Sequence, residues 1–231
     1  MAVEKRRYDD PCGVARALGA VGERWALLVV RELLLGPKRF SDLSRGLPGM
    51  SQNVLSQRLR ELEQAGVVRR RQLGPPVSAS VYQLTQHGQE LEPVLLALGR
   101  WGSRLPFSSS AELSPDALIL ALRTTFDPAR AAGAEGRFGL ELNDDRLILE
   151  LTEAGCHVNR AEPSAASGAS SPADQPVRAT LWCDPATLRA LVFGGLPMDE
   201  ALHSGALTVT GDELAVERLL HAFPRPSVSG N

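Results

Sequence analysis

Hydrophobic positions in the stretch MSQNVLSQRLRELEQAGVVRRR recur with the period of an α-helix. Leu55, Leu59 and Leu62 follow an i, i+4, i+7 spacing, which places them on one face. Ser51 is a good N-cap and Gly66 a good C-terminal stop, so the pattern predicts a helix between them. The opposite face is rich in amides, and three arginines follow the stop.

The same kind of pattern predicts further elements on both sides of this helix. GVARALGAVGERWALLVVRELLLG gives two helices split near Gly19–Gly22, and RFSDLSRGLPG gives a short helix with Ser41 as its N-cap. VVRRRQL and SASVYQL are strand-like and are separated by Gly74–Pro75–Pro76. Thr85 caps another helix, in which Pro93 predicts a kink or a fresh start.

After a linker rich in Ser and Pro, the pattern changes to alternation. In GRFGLELNDDRLILEL, apolar residues alternate on both sides of an Asn-Asp-Asp-Arg turn, which predicts a hairpin with one apolar face. A low-complexity loop over 161–176 and a strand in VRATLWCD follow. Asp184 and Pro185 open a helix that ends at Gly194–Gly195. A short helix in MDEALHSG, a strand in ALTVTG and a helix in DELAVERLLHAF complete an α+β half.

Composition and charge narrow the classes of protein that fit. The 231 residues are 43% hydrophobic and 23% charged, and no apolar run is long enough for a membrane helix, so we expect a cytoplasmic protein without membrane contact. Residues 1–107 hold 16 Lys and Arg against 10 Asp and Glu, whereas residues 108–231 hold 9 against 17. The net charge of −2 thus hides a basic half and an acidic half, which favours a polyanionic partner for the first half.

The amide-rich helix and the basic strand after it suit double-stranded DNA. Asn and Gln pair with adenine edges and Arg with guanine edges in the major groove, and the N-terminal residues of a recognition helix reach the bases. Arginines on a hairpin beside such a helix suit phosphate or the minor groove. Two roles stay open, since Ser51 can cap the helix instead and Arg58 can brace the fold. The predicted DNA-binding residues are Lys38, Arg39, Ser51, Gln52, Asn53, Ser56, Gln57, Arg58, Arg60, Arg69 and Arg71.

The segment from WALLVVRELLLGPKRFSDL through LPGMSQNVLSQRLREL to VYQLTQHGQEL closely resembles the HxlR family of bacterial winged-helix regulators. The resemblance covers roughly residues 12–105. It implies a winged helix-turn-helix domain over 1–107, mainly helical with a β-hairpin wing. It also implies a homodimer on an imperfect palindrome, with the N-terminal segment and the helix after the wing forming most of the dimer contact.

The second half is similar to a sterol-carrier-protein-2-like domain. The shared elements are a strand, the Asp-x-x-Thr-Leu-x-x-Leu helix, the run Ala-x-x-x-Gly-x-Leu-x-x-x-Gly-Asp and a terminal helix. The resemblance implies an α+β domain over 108–231 with a hydrophobic tunnel, and hence a small apolar effector of DNA binding. The alternatives are a collapsed pocket and a domain that only dimerises. The predicted tunnel residues are Phe126, Leu149, Trp182, Phe193, Leu196 and Met198.

Two other functions remain open at this point. Cys12 lies just before the first predicted helix, where HxlR-like proteins often carry a cysteine that in some members senses oxidants. A lipid-binding module without specific DNA recognition is the other alternative. The motifs G-x-S-x-G, H-E-x-x-H, G-x-G-x-x-G and C-x-x-C are absent from the sequence, so we expect no enzymatic activity, no cofactor and no metal site.

Overall fold

A computed structural model of the chain describes residues 8–74, 78–105, 112–161 and 176–225. The fold divides into two compact units, Met1–Leu95 and Leu96–Asn231. The domain boundary predicted at 107/108 lies outside the described residues, as do the middle of the proline turn after Gly74 and most of the low-complexity loop.

The first unit contains helices and a small sheet. In chain order the elements are α1 (Gly13–Val21), α2 (Ala26–Leu33), β1 (Lys38–Arg39), α3 (Phe40–Gly46), α4 (Gln52–Gln64), β2 (Val68–Gln72), β3 (Ser80–Leu84), α5 (Gln86–Gln89) and the beginning of α6 (Glu92–Gly102). The sheet order is β1-β3-β2 and both pairings are antiparallel. Together these elements form a helix-turn-helix followed by a wing.

Local sequence explains most of these boundaries. The Ser51 hydroxyl accepts from the Val54 N–H at 3.4 Å, and Gly66 has a φ of +70° just beyond α4, as its role as a stop predicts. The Thr85 hydroxyl accepts a hydrogen bond from the Gly88 N–H at 3.0 Å and so caps α5. A new helix, α6, then begins at Glu92, and Pro93 is its second residue.

The predicted cap of the short helix α3 is wrong. Its N-cap is Arg39 and not Ser41, so the helix begins at Phe40, two residues earlier than expected. The physical reason is Asp42 in the first turn, whose carboxylate accepts from the Arg39 backbone N–H at 3.3 Å. Strand β1, which pairs with β3 just before α3, was also absent from the sequence prediction.

The second unit is an α+β domain with a mixed sheet. Its elements after α6 are α7 (Pro115–Thr125), β4 (Gly136–Leu142), β5 (Asp145–Thr152), β6 (Gly155–Arg160), β7 (Ala179–Cys183), α8 (Pro185–Arg189), a π-helical turn (Ala190–Gly194), α9 (Met198–His203), β8 (Thr208–Gly211) and α10 (Glu213–His221). The sheet order is β6-β5-β4-β7-β8, and β4 and β7 are parallel while the other neighbours are antiparallel.

Alternation along the strands gives the sheet one buried face. That face carries Phe138, Leu140, Leu142, Leu147, Leu149 and Leu151, each at most 1% exposed. Helix α7 packs against β6 and α10 against β7. Helix α7 and strand β6 are additions to the prediction. Helix α7 carried a signal, since Ser114 caps it and Pro115 is its first residue.

Among the described helices, none combines the length and the apolar character that a membrane span requires.

Candidate nucleic-acid interface and ligand cavity

Helix α4 has one buried face and one exposed polar face. Leu55, Leu59 and Leu62 are each 1% exposed and anchor the helix in the core of the first unit. Gln52 and Asn53, at the N-terminal end, are exposed and make no side-chain hydrogen bond among the described residues. The arrangement leaves donor and acceptor groups available to an external partner at the end of the helix that enters a groove.

The other predicted side chains on α4 are already engaged to different degrees. Gln57 is exposed and its Nε2 donates to Glu61 Oε1 at 3.0 Å, while Arg60 Nε donates to the Ser56 carbonyl at 3.3 Å. Ser56 is half-buried. The hydroxyl of Ser51 caps the helix, the first of the two roles left open for it.

Arg58 has a mainly internal environment. Its side chain is 11% exposed, it bonds Glu61 through Nη1, and the same atom lies 3.4 Å from Glu23 Oε2. Both carboxylates compete with any phosphate for this guanidinium. Of the two roles left open for Arg58, the geometry supports bracing of the fold.

The wing strand β2 presents three exposed arginines in different states. With the Gln83 amide oxygen turned toward it, Arg69 donates to Gln83 at 2.7 and 2.5 Å from Nε and Nη2. Arg70 Nε donates to the Ser80 hydroxyl at 2.6 Å. The guanidinium of Arg71 makes no hydrogen bond or ion pair within the described part of the chain, so its charge is the most available of the three.

Strand β1 brings together one exposed and one internal cation. Arg39 is exposed, whereas Lys38 Nζ lies 2.9 Å from Oε2 of Glu32, whose side chain is 0% exposed. Arg31 binds the other oxygen of Glu32 at 2.8 Å. Lys38 therefore neutralises a buried carboxylate, a role that sequence alone did not suggest.

Cys12 is an exposed thiol at the beginning of α1. Its Sγ accepts from the Ala15 N–H at 3.3 Å, so the cysteine is the N-cap of the helix. The other two cysteines differ: burial raises the pKa of Cys156 to about 12, and burial followed by the charge of Asp184 raises that of Cys183 to about 12.

The second unit contains an open cavity of about 600 Å³ between the π-helical turn, α9 and α10. Two of the predicted tunnel residues, Leu196 and Met198, line it. The other apolar lining residues include Leu191, Val192, Leu202, Leu220 and Phe223. The same wall also carries charged groups that sequence reasoning missed, namely Arg130, Asp199, Glu213, Glu217 and Arg225.

The remaining predicted tunnel residues are not among those that line this cavity. The Phe126 ring packs against Phe223 with centroids 5.9 Å apart, one layer behind the cavity wall. Leu149 is 1% exposed within the sheet core, and Phe193 is half-buried. Trp182 is 40% exposed because alternation turns it to the face of β7 opposite the buried Leu181.

Comparison with known proteins identifies both halves of the chain. Residues 20–108 match the model of the HxlR-like helix-turn-helix family, and residues 118–222 match that of the SCP-2 sterol transfer family. The HTH-type transcriptional regulator YvaP of Bacillus subtilis (strain 168) is 39% identical over 88 residues, which make up 38% of this chain and 82% of YvaP. The HTH-type regulator sll1512 of Synechocystis is 36% identical over 104 residues, 45% of this chain and 76% of that protein.

One solved structure is similar in sequence to the N-terminal half of the chain. The reduced form of the transcriptional regulator YodB from B. subtilis is 33% identical and covers 41% of this chain and 94% of its own, with a TM-score of 0.37. Because this score is below 0.5, the family assignment depends on the sequence matches. The chain belongs to the HxlR-like family of helix-turn-helix transcriptional regulators and carries a C-terminal domain of the SCP-2 sterol transfer family.

Proposed function

We propose that this protein is a sequence-specific DNA-binding regulator that binds a palindromic operator as a homodimer and responds to a small ligand in its C-terminal domain. The observation that carries the proposal is the exposed amide edge of α4, Gln52, Asn53 and Gln57, on a helix whose leucines are buried. Amides on a rigid helix beside a basic wing are suited to base edges and phosphates at the same time. The proposed role is regulatory and not catalytic.

Exposed apolar side chains support the homodimer. Helix α6 carries Val94, Leu98 and Trp101 at 52, 45 and 62% exposure, and α1 carries Val14 and Leu18 at 70 and 45%. Large apolar residues at helical spacing on two elements exceed the scattered surface apolar residues of an ordinary monomer. A second copy of the chain that covers them would set two α4 helices on successive major grooves.

The cavity supports a ligand, and its lining refines the chemistry expected of that ligand. A lining that combines apolar and charged side chains suits an amphipathic molecule better than a purely apolar one. The ligand changes DNA affinity only if it binds two dimer geometries with different affinity, and such coupling is typically about 1–3 kcal/mol.

Sequencing the genomic fragments that the full chain retains tests the DNA-binding part. We expect an enriched inverted repeat and an affinity that falls steeply with salt. Retention of fragments without a common sequence would contradict specific recognition and would favour the alternative, a lipid-binding module. For the ligand part, medium-chain fatty acids serve as amphipathic probes: binding by calorimetry with a matching change in operator affinity is expected, and binding that leaves operator affinity unchanged argues against coupling.

A second candidate function is thiol-based sensing through Cys12. The observation that favours it is the exposed Sγ at the beginning of α1. Diamide treatment should then release operator DNA from the native chain and not from a Cys12→Ser variant. Equal responses of the two proteins would leave the ligand cavity as the better candidate for the sensor.

A further inference from the structure

We infer that Gln57 reads one base through an amide that Glu61 holds in a single orientation, with Arg58 in turn holding Glu61. Glu61 and Arg58 are then positioning residues for sequence recognition. The inference rests on the proposed function, because it concerns how the α4 surface selects its operator.

The contact between Gln57 and Glu61 fixes which end of the amide faces the helix. Gln57 Nε2 lies 3.0 Å from Glu61 Oε1, one turn further along α4. A carboxylate only accepts hydrogen bonds, so the amide nitrogen, and not its oxygen, must point at Glu61. The Gln57 amide nitrogen carries two hydrogens. When the hydrogen that points away from the amide oxygen is donated to Glu61, the other hydrogen and the oxygen lie side by side on the free edge of the amide.

That free edge has the pattern that pairs with adenine. Adenine presents the N6 donor and the N7 acceptor in the major groove, and a Gln amide bonds both at once. Guanine presents two acceptors there, so its O6 would face the oxygen of Gln57. A fixed amide therefore prefers an A·T pair, and it loses less side-chain freedom on binding than a mobile one.

Glu61 is itself held by Arg58, and the two oxygens of Glu61 have different partners. Arg58 Nη1 bonds Oε2 and leaves Oε1 to Gln57. The side chain of Arg58 is 11% exposed, and its second carboxylate partner, Glu23, lies in the connection between α1 and α2. The contacts Glu23–Arg58–Glu61–Gln57 thus run from the exposed connection between α1 and α2, through the mostly buried Arg58, to the exposed face of α4.

The connection that carries Glu23 is fixed by a second, independent set of contacts. Trp25 has a φ of +78°, a left-handed conformation that a bulky residue adopts only where its surroundings hold it. Arg24 stacks on the Trp25 ring with 5.4 Å from Cζ to the ring centroid. The ring also reaches the turn before α4, since a Cβ added at Gly49 would lie 3.9 Å from it. Glu23 is therefore anchored to the same helix-turn-helix that it braces.

Operator selection from a random DNA library tests the inference with the full chain. The variants are Gln57→Ala, Glu61→Ala, Glu61→Gln, Arg58→Gln and the Gln57→Ala/Glu61→Ala double variant. Glu63→Ala is the matched control, because Glu63 lies in the same helix and its carboxylate makes no hydrogen bond or ion pair among the described residues. Circular dichroism checks that each protein is folded.

We expect Gln57→Ala to lose about 10- to 100-fold of the discrimination at one base pair per half-site, with A·T preferred there by the native chain. Glu61→Ala should lose most of the same preference although Gln57 is present, and the double variant should lose no more than Gln57→Ala alone. Arg58→Gln should show a smaller loss at the same position. Glu61→Gln has one acceptor oxygen for two donors, Arg58 and Gln57, so it cannot hold both and should also lose most of the preference.

Three results would overturn the inference. One is a Glu61→Ala variant that keeps the base preference of the native chain. Another is a Glu61→Ala substitution that causes the same loss of base preference in the native chain and in the Gln57→Ala variant. The third is Glu61→Gln with the base preference of the native chain, because both oxygens of Glu61 are needed in the arrangement proposed here. If the native chain selects no DNA sequence, the proposed function fails and the inference fails with it. If the native chain selects a sequence and Gln57→Ala selects the same one, only the inference fails.

Discussion

Basic side chains of the first unit have different environments in this protein. Lys38 is paired with the fully buried Glu32, and Arg58 with Glu61 and Glu23. Arg71, by contrast, is exposed, and its guanidinium has no ion-pair or hydrogen-bond partner in the described part of the chain. An ion pair with a buried carboxylate contributes to folding, whereas an exposed unpaired cation is available to phosphate. The residues therefore separate into bracing and binding groups.

Replacing Lys38 with Met should destabilise the fold by on the order of 2 kcal/mol, because the buried carboxylate of Glu32 loses a cation that pairs with it. Urea unfolding measures the loss. The control is Arg39→Met at the adjacent exposed position, which should change stability by less than about 0.5 kcal/mol. A Lys38 variant of native stability with weaker DNA binding would instead place this lysine in the interface.

Thiol labelling should distinguish Cys12 from the other two cysteines. Thiolate is the reactive form, and a thiol with a pKa of about 12 is ionised to on the order of one part in 10⁵ at pH 7. We expect iodoacetamide to modify Cys12 first in the folded chain, with Cys156 and Cys183 labelled only after unfolding. Peptide mass spectrometry reads the sites, and equal rates at all three would contradict the burial described here.

At the scale of elements, α4 and the wing would contribute differently to the proposed DNA binding. Helix α4 presents amides that distinguish bases, and β2 presents guanidinium groups that do not depend on sequence. Cross-strand partners occupy Arg69 and Arg70, since Gln83 and Ser80 lie on β3. The wing therefore offers its free charge mainly at Arg71.

Arg71→Ala should weaken binding to all sequences alike and reduce the slope of log K against log salt by about one unit. Fluorescence anisotropy at several salt concentrations measures the slope. Arg146→Ala is the control, because it removes the same charge from an exposed arginine of the C-terminal unit. A change in base preference caused by Arg71→Ala would argue for minor-groove reading instead of phosphate contact.

Helix α10 begins at a capped and charge-paired aspartate. Asp212 accepts a hydrogen bond from the Ala215 N–H at 2.9 Å, and Arg178 lies 2.9 Å from its other carboxylate oxygen. The hydrogen bond from Arg178, followed by that from Ala215, lowers the pKa of Asp212 below 3.8. A carboxylate whose pKa is lower in the folded state stabilises the fold above its unfolded pKa. This contribution is lost as the pH falls through the folded pKa.

Asp212→Asn keeps a capping side chain and loses the charge. It should therefore be less stable than the native chain at pH 7, with the difference disappearing below pH 3.8. Thermal unfolding from pH 7 downward measures this difference. A constant difference across the whole range would show that the cap, and not the ion pair with Arg178, accounts for the effect.

At the scale of the whole molecule, a basic unit with the proposed DNA-binding surface comes before an acidic unit with a cavity along the chain. The exposed stripe Val94, Leu98 and Trp101 lies on α6, the helix that contains the division between the two units. A dimer contact on this helix would involve residues of both units. Assembly is therefore the property through which a ligand in one unit could change DNA binding by the other.

Combining Leu98→Ser with Trp101→Ser should convert the dimer to a monomer at micromolar concentration, because it removes two of the largest exposed apolar groups. Sedimentation velocity measures the mass, and operator affinity should fall at the same time. Leu214→Ser is the control, since Leu214 is 68% exposed and lies on α10. An unchanged sedimentation coefficient in the double variant would exclude this face from the interface.

Sequence by itself determined the elements that local patterns encode. The leucine period and the Ser51 cap predicted α4, and the alternation from Phe138 to Leu151 predicted the hairpin of the second unit. Both succeed because periodicity, capping and turn chemistry act over a few residues. The family followed from the order of such segments. Element α7 was missed despite its Ser114–Pro115 start, and β6 was missed although buried Cys156 and Val158 alternate with exposed His157 and Asn159. With only two apolar positions, its alternation is a short signal.

Tertiary structure alone decided which side chains are available to partners. The pairing of Lys38 on β1 with Glu32 on α2, and of Arg58 on α4 with Glu23 before α2, depends on how these elements pack. The exposure of Trp182 depends on which face of the sheet is covered. The cavity likewise gains Arg130 from a segment some 60 residues before Leu191. Charge and hydrophobicity are properties of a residue, but exposure and partnership are properties of its position in the fold, and these decide what the residue can bind.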